Sequence, residues 1–129
     1  MQILQPPAWA RAKGFSNGIA ASGRLVFIAG QIGWTGQGKW EARDFASQFK
    51  QTIKNILDVL AEAGGKPEHI VRLTWYVLDK QEYLAALKDV GTAYRELMGR
   101  HYPTMAVVQV SGLVEDQARL EIEATAVVP

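Results

Sequence analysis

The sequence predicts a two-layer α+β domain, in which two helices cover one face of a mixed β-sheet of about four to six strands. Two long segments place apolar residues at helical spacing, and several shorter segments either alternate apolar with polar residues or are apolar throughout. These segments follow one another in the order β-β-α-β-α-β-β. Since the 129 residues contain no repeat or linker, we expect a single domain over residues 1–129.

The composition excludes several classes of function. Hydrophobic residues make up 48% of the chain and charged residues 21%, which is typical of a globular domain. The net charge of +1 gives no basic excess that would attract nucleic acid. The absence of cysteine excludes disulfides, thiol catalysis and thiolate metal sites. The N-terminal stretch "MQILQPPAWARAKG" does not resemble a secretory signal, and no segment is apolar enough to cross a bilayer, so we expect a cytoplasmic protein without a membrane partner.

The first half of the chain predicts a hairpin followed by a helix. In "GFSNGIAASGRLVFIAGQIG", two extended runs flank Ser22-Gly23, which indicates a β-hairpin. Its second run, Leu25 to Ala29, is apolar throughout, so both of its faces should be covered. After the loop "WTGQGKWEA", apolar residues at helical spacing predict a helix from Phe45 to Ala63. Asp44 is its expected N-cap, and Gly64-Gly65 its expected end.

The second half predicts a strand, a helix and two further strands. "VRLTWYVL" alternates, with one set of side chains for each face of the sheet. A helix is predicted from Gln81 to Met98, closed by Gly99. "AVVQVSGL" and "RLEIEATAVV" are predicted to be strands, joined through "VEDQA" as a hairpin.

The last strand raises a question about two carboxylates. Its apolar residues point one way, whereas Glu121, Glu123 and Thr125 point the other way. Either both carboxylates face water, or one of them lines a site. Two helices cannot cover the second face of the sheet, which carries Tyr76, Leu78 and several valines. We therefore expect a closed homo-oligomer that buries this face between subunits.

Few residues form a pattern that carries chemistry by itself. His69 and His101 lie in separate turns without a partner in sequence, so we expect ordinary surface residues. Without a cluster of His, Asp and Glu at ligand spacing, no metal site is predicted, and no glycine-rich phosphate loop or nucleophile elbow occurs, so no cofactor is expected. Trp9, Trp34 and Trp40 fall in predicted loops, where they either anchor a loop or form the wall of a pocket.

Nearly the whole chain resembles the Rid family, the reactive intermediate deaminases, also called YjgF or L-PSP-like proteins. The stretches that carry the resemblance are "LVFIAGQIG", "NILDVLAEAGGKPEHIVRLTWYVLD", "YREL", "HYPTMAVVQV" and "LEIEATAV". The resemblance implies a chorismate-mutase-like fold, assembled as a homotrimer with the sheets turned inward and a cleft between each pair of neighbouring subunits.

The resemblance also implies a reaction and a set of site residues. The best-known members hydrolyse imines and enamines released by PLP enzymes, forming a 2-keto acid and ammonia, and clamp the substrate carboxylate with an arginine two residues after the proline that opens the fifth strand. Met105 stands at that position here. The position of the family's glutamate, thought to orient the attacking water, is held by Glu121, which is the expected catalytic residue. The other positions carried over from the family's small-molecule site are Phe15, Ala29, Gly30, Gln31 and Val107, where the family's tyrosine, serine and cysteine side chains have been lost at Phe15, Ala29 and Val107.

These departures make the expected cleft less polar. Either it accepts a more apolar or uncharged ligand than a simple 2-imino acid, or another base replaces the clamp, with Arg72 and Arg24 as the nearest candidates. Three functions stay open: a Rid-like deaminase, a trimer that binds a small metabolite without turnover, and an endoribonuclease. The lack of a basic stripe argues against the third.

Overall fold

The computed structural model describes residues 1–129, which form six strands and three α-helices. In chain order these are β1 (Gln2–Leu4), β2 (Gly18–Ala20), β3 (Arg24–Gln31), α1 (Phe45–Glu62), β4 (Ile70–Val77), α2 (Lys80–Ala85), α3 (Leu87–Met98), β5 (Thr104–Gln109) and β6 (Leu120–Val128), with a short 3-10 helix, Pro67–His69, before β4. The predicted α+β class is confirmed. No helix is both long enough and apolar enough to span a bilayer.

The main sheet has four strands in the order β3-β6-β4-β5. Strand β6 pairs antiparallel with both β3 and β4, whereas β4 and β5 are parallel and are joined by α2 and α3. The predicted hairpin between the last two strands is therefore wrong. Strand β6 runs antiparallel to β5, but it inserts between β3 and β4, so the segment that joins β5 to β6 passes the end of β4 and the two strands are not paired.

The predicted N-terminal hairpin is also wrong in its partner. Strand β2 pairs antiparallel with β1, a strand that the sequence analysis did not predict, and these two form a separate small sheet. The turn at Ser22-Gly23 leads instead into β3, whose first residue, Arg24, is paired with Val128. Local turn chemistry thus marked the break between two strands without determining which strand is the neighbour.

Helix α1 begins and ends where the sequence predicts. The Asp44 side chain accepts a hydrogen bond from the Ser47 N–H at 2.7 Å, which caps the first turn. After the last turn, Gly64 has a φ of +73°, a left-handed conformation that favours glycine. One stripe of α1 is fully buried against the sheet, namely Phe49, Ile53, Ile56 and Leu60.

The second predicted helix is two helices. Its apolar periodicity is continuous, but Ala86 has φ −95° and ψ 2°, and its N–H is shared between the carbonyls of Glu82 and Tyr83. This one-residue interruption ends α2 and begins α3. Asp79 caps α2 by accepting hydrogen bonds from the N–H groups of Gln81 and Glu82, and Gly99 closes α3 at φ +64°.

The helices cover one face of the sheet, which we call the core face, and leave the other open. The alternation predicted for β6 is confirmed, because Leu120, Ile122, Ala124 and Ala126 are all buried on the core face. On the open face of β3, Leu25 and Phe27 expose 61% and 75% of their surface. The apolar run of β3 is therefore covered on only one side within a single protomer.

Candidate functional site

A cavity of about 400 Å³ lies on the core face, between β4 and β5, the two short helices and the loop before β2. Nine of its 13 lining residues are hydrophobic. The lining consists of Lys13, Gly14, Phe15, Trp75, Tyr83, Leu87, Val90, Gly91, Tyr94, Arg95, Tyr102, Met105 and Val107. A volume and composition of this kind are typical of a small-molecule site.

Strand register places two of the predicted site residues in this cavity. Met105 is paired with Leu73, and Val107 with Trp75, and both partners are buried on the core face. Because opposed residues in a sheet share a face, Met105 and Val107 also point toward the helices. Phe15 joins them because the next residue, Ser16, donates its backbone N–H to the Pro103 carbonyl at 3.1 Å, which holds the loop against the start of β5.

Aromatic rings make the wall of the cavity rigid. Trp75 stacks on Phe49, with ring centroids 4.9 Å apart, and meets Tyr83 edge-on at 6.0 Å. Tyr94 and Tyr102 stack at 5.3 Å, with planes inclined by only 4°. The Tyr94 hydroxyl donates to the His101 carbonyl at 2.5 Å, and burial raises the pKa of Tyr94 well above its ordinary value. Tyr94 therefore stays neutral at physiological pH, and the stacked rings offer shape and apolar contact to a ligand.

The only charged residues of the lining are two cations, Lys13 and Arg95. Neither forms an ion pair within the protomer, where the two salt bridges are Lys50–Glu96 and Arg119–Glu82. The sequence analysis did not single out either residue. A signal was present, because the helix α3 contributes Leu87, Val90, Gly91, Tyr94 and Arg95, which recur at the spacing of one helical stripe.

The two arginines that the sequence suggested as replacements lie elsewhere. Arg24 donates a hydrogen bond to the Ala63 carbonyl at 2.7 Å, at the end of α1. Arg72 lines a second pocket, of about 470 Å³, on the open face, together with Thr74 and Glu123. Neither lines the cavity that contains Met105.

Glu121 and Gly30 form a second candidate group, on the open face. The register of β3 shifts between Ile28 and Gln31, so that Gly30 lies in an irregular part of the strand. A methyl group on Gly30 would lie 2.9 Å from the carboxyl carbon of Glu121, which shows that this carboxylate rests directly on the backbone of β3. Gln31 donates its side-chain amide to the Ala29 carbonyl at 3.1 Å and does not line the cavity.

The two carboxylates of β6 are not equivalent. The Tyr76 hydroxyl donates to Oε1 of Glu123 at 2.7 Å, and this hydrogen bond is the main reason that the pKa of Tyr76 is raised. Glu121, which is paired with Tyr76 in the register of β4 and β6, makes no hydrogen bond or ion pair within the protomer. Glu123 thus has a hydrogen-bond partner within the protomer, whereas the Glu121 carboxylate has none.

The remaining candidates do not join either group. His69 Nδ1 accepts a hydrogen bond from the Lys66 N–H at 2.9 Å, and His101 Nε2 lies 2.6 Å from the Ile70 carbonyl. Both histidines thus have backbone partners, His69 within its own turn and His101 at the start of β4. The rings of Trp34 and Trp40 contact each other at 6.0 Å, and none of the three loop tryptophans lines the cavity. No group of three or more His, Asp and Glu residues could hold a metal ion.

Comparison with known proteins agrees with this architecture. Residues 6–128 match the model of the family described as endoribonuclease L-PSP. The chain belongs to the Rid/YjgF/L-PSP family. Among solved structures, a Rid family protein of unknown function from Yersinia pestis, YyfB, is 29% identical and superimposes with a TM-score of 0.87 over 98% of both chains.

Sequence relatives within the Rid family are distant. The human 2-iminobutanoate/2-iminopropanoate deaminase is 30% identical over 105 residues, which are 81% of this chain and 73% of that protein. A RutC family protein of Pyrococcus abyssi is 34% identical over 105 residues, 81% of this chain and 79% of that protein. The putative reactive intermediate deaminase TdcF of Escherichia coli is 32% identical over 108 residues, 81% of this chain and 80% of that protein.

Proposed function

We propose that this Rid-family protein hydrolyses an imine or enamine in a cleft shared by two neighbouring protomers. The observation that carries the proposal is the division of the candidate residues between two faces of the sheet. Phe15, Met105 and Val107 line the cavity on the core face, whereas Gly30 and Glu121 lie together on the open face. One protomer cannot bring the two groups to the same ligand, so the second group must come from a neighbour.

The exposed apolar residues of β3 support such an assembly. Leu25 and Phe27 lie on the open face, where a soluble monomer would leave them in water. Packing the open faces of three protomers around a central axis would bury them. This is the homotrimer that the family resemblance implies.

In the proposed reaction, Glu121 of one protomer orients and deprotonates a water molecule beside the cavity of its neighbour. The water oxygen forms a bond to the imine carbon while the electron pair of the C=N bond moves to nitrogen, which takes up a proton. The proton that Glu121 took from the water is the one donated to this nitrogen, which gives a neutral carbinolamine. Glu121 then takes the proton of the carbinolamine hydroxyl and donates it to the amino nitrogen as the C–N bond breaks, which leaves a carbonyl compound and ammonia. An unpaired carboxylate suits this role better than Glu123, which is already hydrogen-bonded to Tyr76.

The proposed substrate differs from 2-iminobutanoate and 2-iminopropanoate, the small 2-imino acids in the name of the human relative. Met105 occupies the position that resembles the family's clamp, and a missing partner of a buried charge pair typically costs about 2–5 kcal/mol, which is roughly tens to thousands of times in affinity. The cavity is also walled by aromatic rings. Both features favour a substrate with a larger apolar side chain.

Release of ammonia from imines generated in situ tests the proposal. An amino acid oxidase acting on a series of amino acids, or a PLP-dependent dehydratase acting on serine or threonine, would supply the substrates. Glu121→Gln should lower the rate by about 10²-fold or more, which is typical for loss of a general base. Glu123→Gln, two residues along the same strand and on the same face, is the matched control and should retain the activity. Equal rates for wild type and Glu121→Gln would remove Glu121 from the mechanism.

Met105→Arg tests the interpretation of the missing clamp. The variant should gain activity on the imine formed from serine or threonine, because a guanidinium in the cavity can grip a carboxylate in bidentate fashion. Strong wild-type activity on that imine would show that Met105 is compatible with a simple 2-imino acid.

A second candidate is a trimer that binds a small metabolite without turnover. It is favoured by the apolar residues at three family positions, Phe15, Ala29 and Val107, where polar side chains are expected. Thermal stabilisation by imine analogues or by keto acids, together with no ammonia release from any imine tested, would support this function over hydrolysis.

A further inference from the structure

We propose that Arg95, assisted by Lys13, binds the anionic group of the ligand, and that the cavity selects a compact carboxylic acid with an aromatic or bulky apolar side chain. The claim that this ligand is a substrate rests on the proposed function. The claim that the cavity binds such an acid stands on the cavity alone.

The charge of the lining points to an anion. Of the 13 lining residues, two carry a positive charge at neutral pH and none is an aspartate or glutamate. Both cations are free of ion pairs within the protomer. Both side chains are exposed to solvent at the edge of the cavity. A carboxylate bound there would be attracted by either charge, whereas a neutral ligand would gain nothing from them.

The position of Arg95 suits it to grip a carboxylate. Helical side chains tilt toward the N-terminus, so Arg95 extends back over Gly91, one turn earlier on α3. Its Nη1 atom would lie 3.5 Å from a methyl group at Gly91, which places the guanidinium close to the helix surface at the cavity wall. Its planar fork of donors can bind both oxygens of a carboxylate. Arg95 would thus provide, from α3, the positive charge that is missing at Met105 on β5.

The remaining walls define the rest of the ligand. Trp75 and Tyr83 meet edge-on, and Tyr94 and Tyr102 stack face to face, so the cavity offers flat, rigid apolar surfaces. An aromatic or branched side chain buries more apolar surface against these rings than a single methyl group does. The selected acid therefore combines an anionic end near Arg95 with an apolar body against the rings.

Calorimetric titration with three probes tests this selection. Phenylacetate has both features, phenylacetamide lacks the charge, and acetate lacks the ring. We expect phenylacetate to bind at least about tenfold more tightly than either of the others, since a hydrogen-bonded charge is worth about one to two orders of magnitude in affinity. The difference between phenylacetate and phenylacetamide should shrink as salt is added.

Variants identify the cation. Arg95→Met should weaken phenylacetate binding about tenfold or more and leave phenylacetamide unchanged, while Arg95→Lys, which keeps the charge without the fork, should fall in between. Lys13→Met should show a smaller loss. Arg43→Met is the matched control, because Arg43 is an exposed arginine outside the cavity, and it should bind phenylacetate as the wild type does.

The results separate this inference from the proposed reaction. Glu121→Gln should bind phenylacetate normally even though its rate of ammonia release is expected to fall by about 10²-fold or more. If Glu121→Gln kept full activity while Arg95→Met lost binding, the proposed mechanism would fail and the anion site would stand. Absence of phenylacetate binding to the wild type, equal binding of the acid and the amide, or undiminished binding to a folded Arg95→Met variant would each overturn the anion site.

Discussion

A methyl group placed on Gly30 would lie 2.9 Å from the carboxyl carbon of Glu121, and nearer still to its Oε2 atom. Real side-chain carbons do not approach a carboxylate so closely. Only glycine at this position lets the carboxylate of β6 lie over the backbone of β3. The position of Glu121 therefore depends on a neighbouring strand as well as on its own.

Gly30→Ala should displace the Glu121 carboxylate while preserving the fold. The clashing atoms belong to the end of a flexible side chain, so we expect little loss of stability but at least about a tenfold loss in ammonia release, because small misplacements of a catalytic group are costly. Steady-state rates and thermal unfolding check the two expectations separately. Gly36→Ala is the control, since a side chain there would meet nothing. Undiminished turnover by Gly30→Ala would argue against a catalytic role for the present Glu121 position.

Much of the fold could be predicted because the determining signals are local. The alternation of β6 reports its buried face directly, and Asp44 and Gly64 mark the ends of α1 through the geometry of individual caps. Strand neighbours were predicted less well. Whether β2 pairs with β1 or with β3 depends on long-range packing, and the turn at Ser22-Gly23 does not determine this choice.

The candidate site shows the same limit. The resemblance brought Phe15, Met105 and Val107 to attention, and all three line one cavity. Strand register places Met105 and Val107 there, whereas Phe15 is placed by the loop before β2. Arg95 escaped notice because it is a solvent-exposed arginine on a helix, a common feature that indicates no site by itself. Its relation to the cavity depends on how α3 packs over β5, which a single sequence does not specify.

Phe27→Glu should dissociate the proposed trimer without unfolding the protomer. Phe27 exposes 75% of its surface on the open face, so its replacement removes no packing from the core. In a trimer that buries this face, three like charges would meet near the axis, which is strongly unfavourable. Sedimentation or light scattering should show a monomer that retains its circular dichroism.

Val59→Glu is the matched control for the assembly. Val59 is also an exposed apolar residue, at 42%, but it lies on helix α1, away from the open face. It should leave the oligomeric state of the wild type unchanged. A wild-type protein that is monomeric at micromolar concentration, or a Phe27→Glu variant that stays assembled, would contradict burial of the open face.

Tyr94→Phe should lower the free energy of unfolding at neutral pH. The difference from the wild type should become smaller at alkaline pH. The variant loses the hydrogen bond to the His101 carbonyl, a cost of about 1 kcal/mol. Burial raises the pKa of Tyr94 in the folded state, so above about pH 10 the unfolded chain loses a proton that the native state keeps, and wild-type stability falls. Phenylalanine has no proton to lose.

Urea unfolding at fixed protein concentration between neutral and alkaline pH measures this difference. Other tyrosines with raised pKa values, Tyr76 and Tyr83, are present in both proteins, so their effects cancel in the comparison. A gap between wild type and variant that stays constant or widens above about pH 10 would contradict a protonated, buried Tyr94.

Gly91→Ala should stabilise the protein. Gly91 lies inside α3, where glycine is unfavourable by about 0.5–1 kcal/mol relative to alanine, and the added methyl group would meet only the Arg95 guanidinium, at an ordinary 3.5 Å. We expect the unfolding temperature to rise by roughly 2–6 °C. Gly99→Ala gives the opposite sign from the same chemical change, because its φ of +64° and ψ of −136° lie in a region that is essentially restricted to glycine, at a cost to alanine of about 1–3 kcal/mol. Thermal unfolding of the pair thus separates helix propensity from backbone strain, and destabilisation by Gly91→Ala would mean that the guanidinium cannot accept the methyl contact in its observed position.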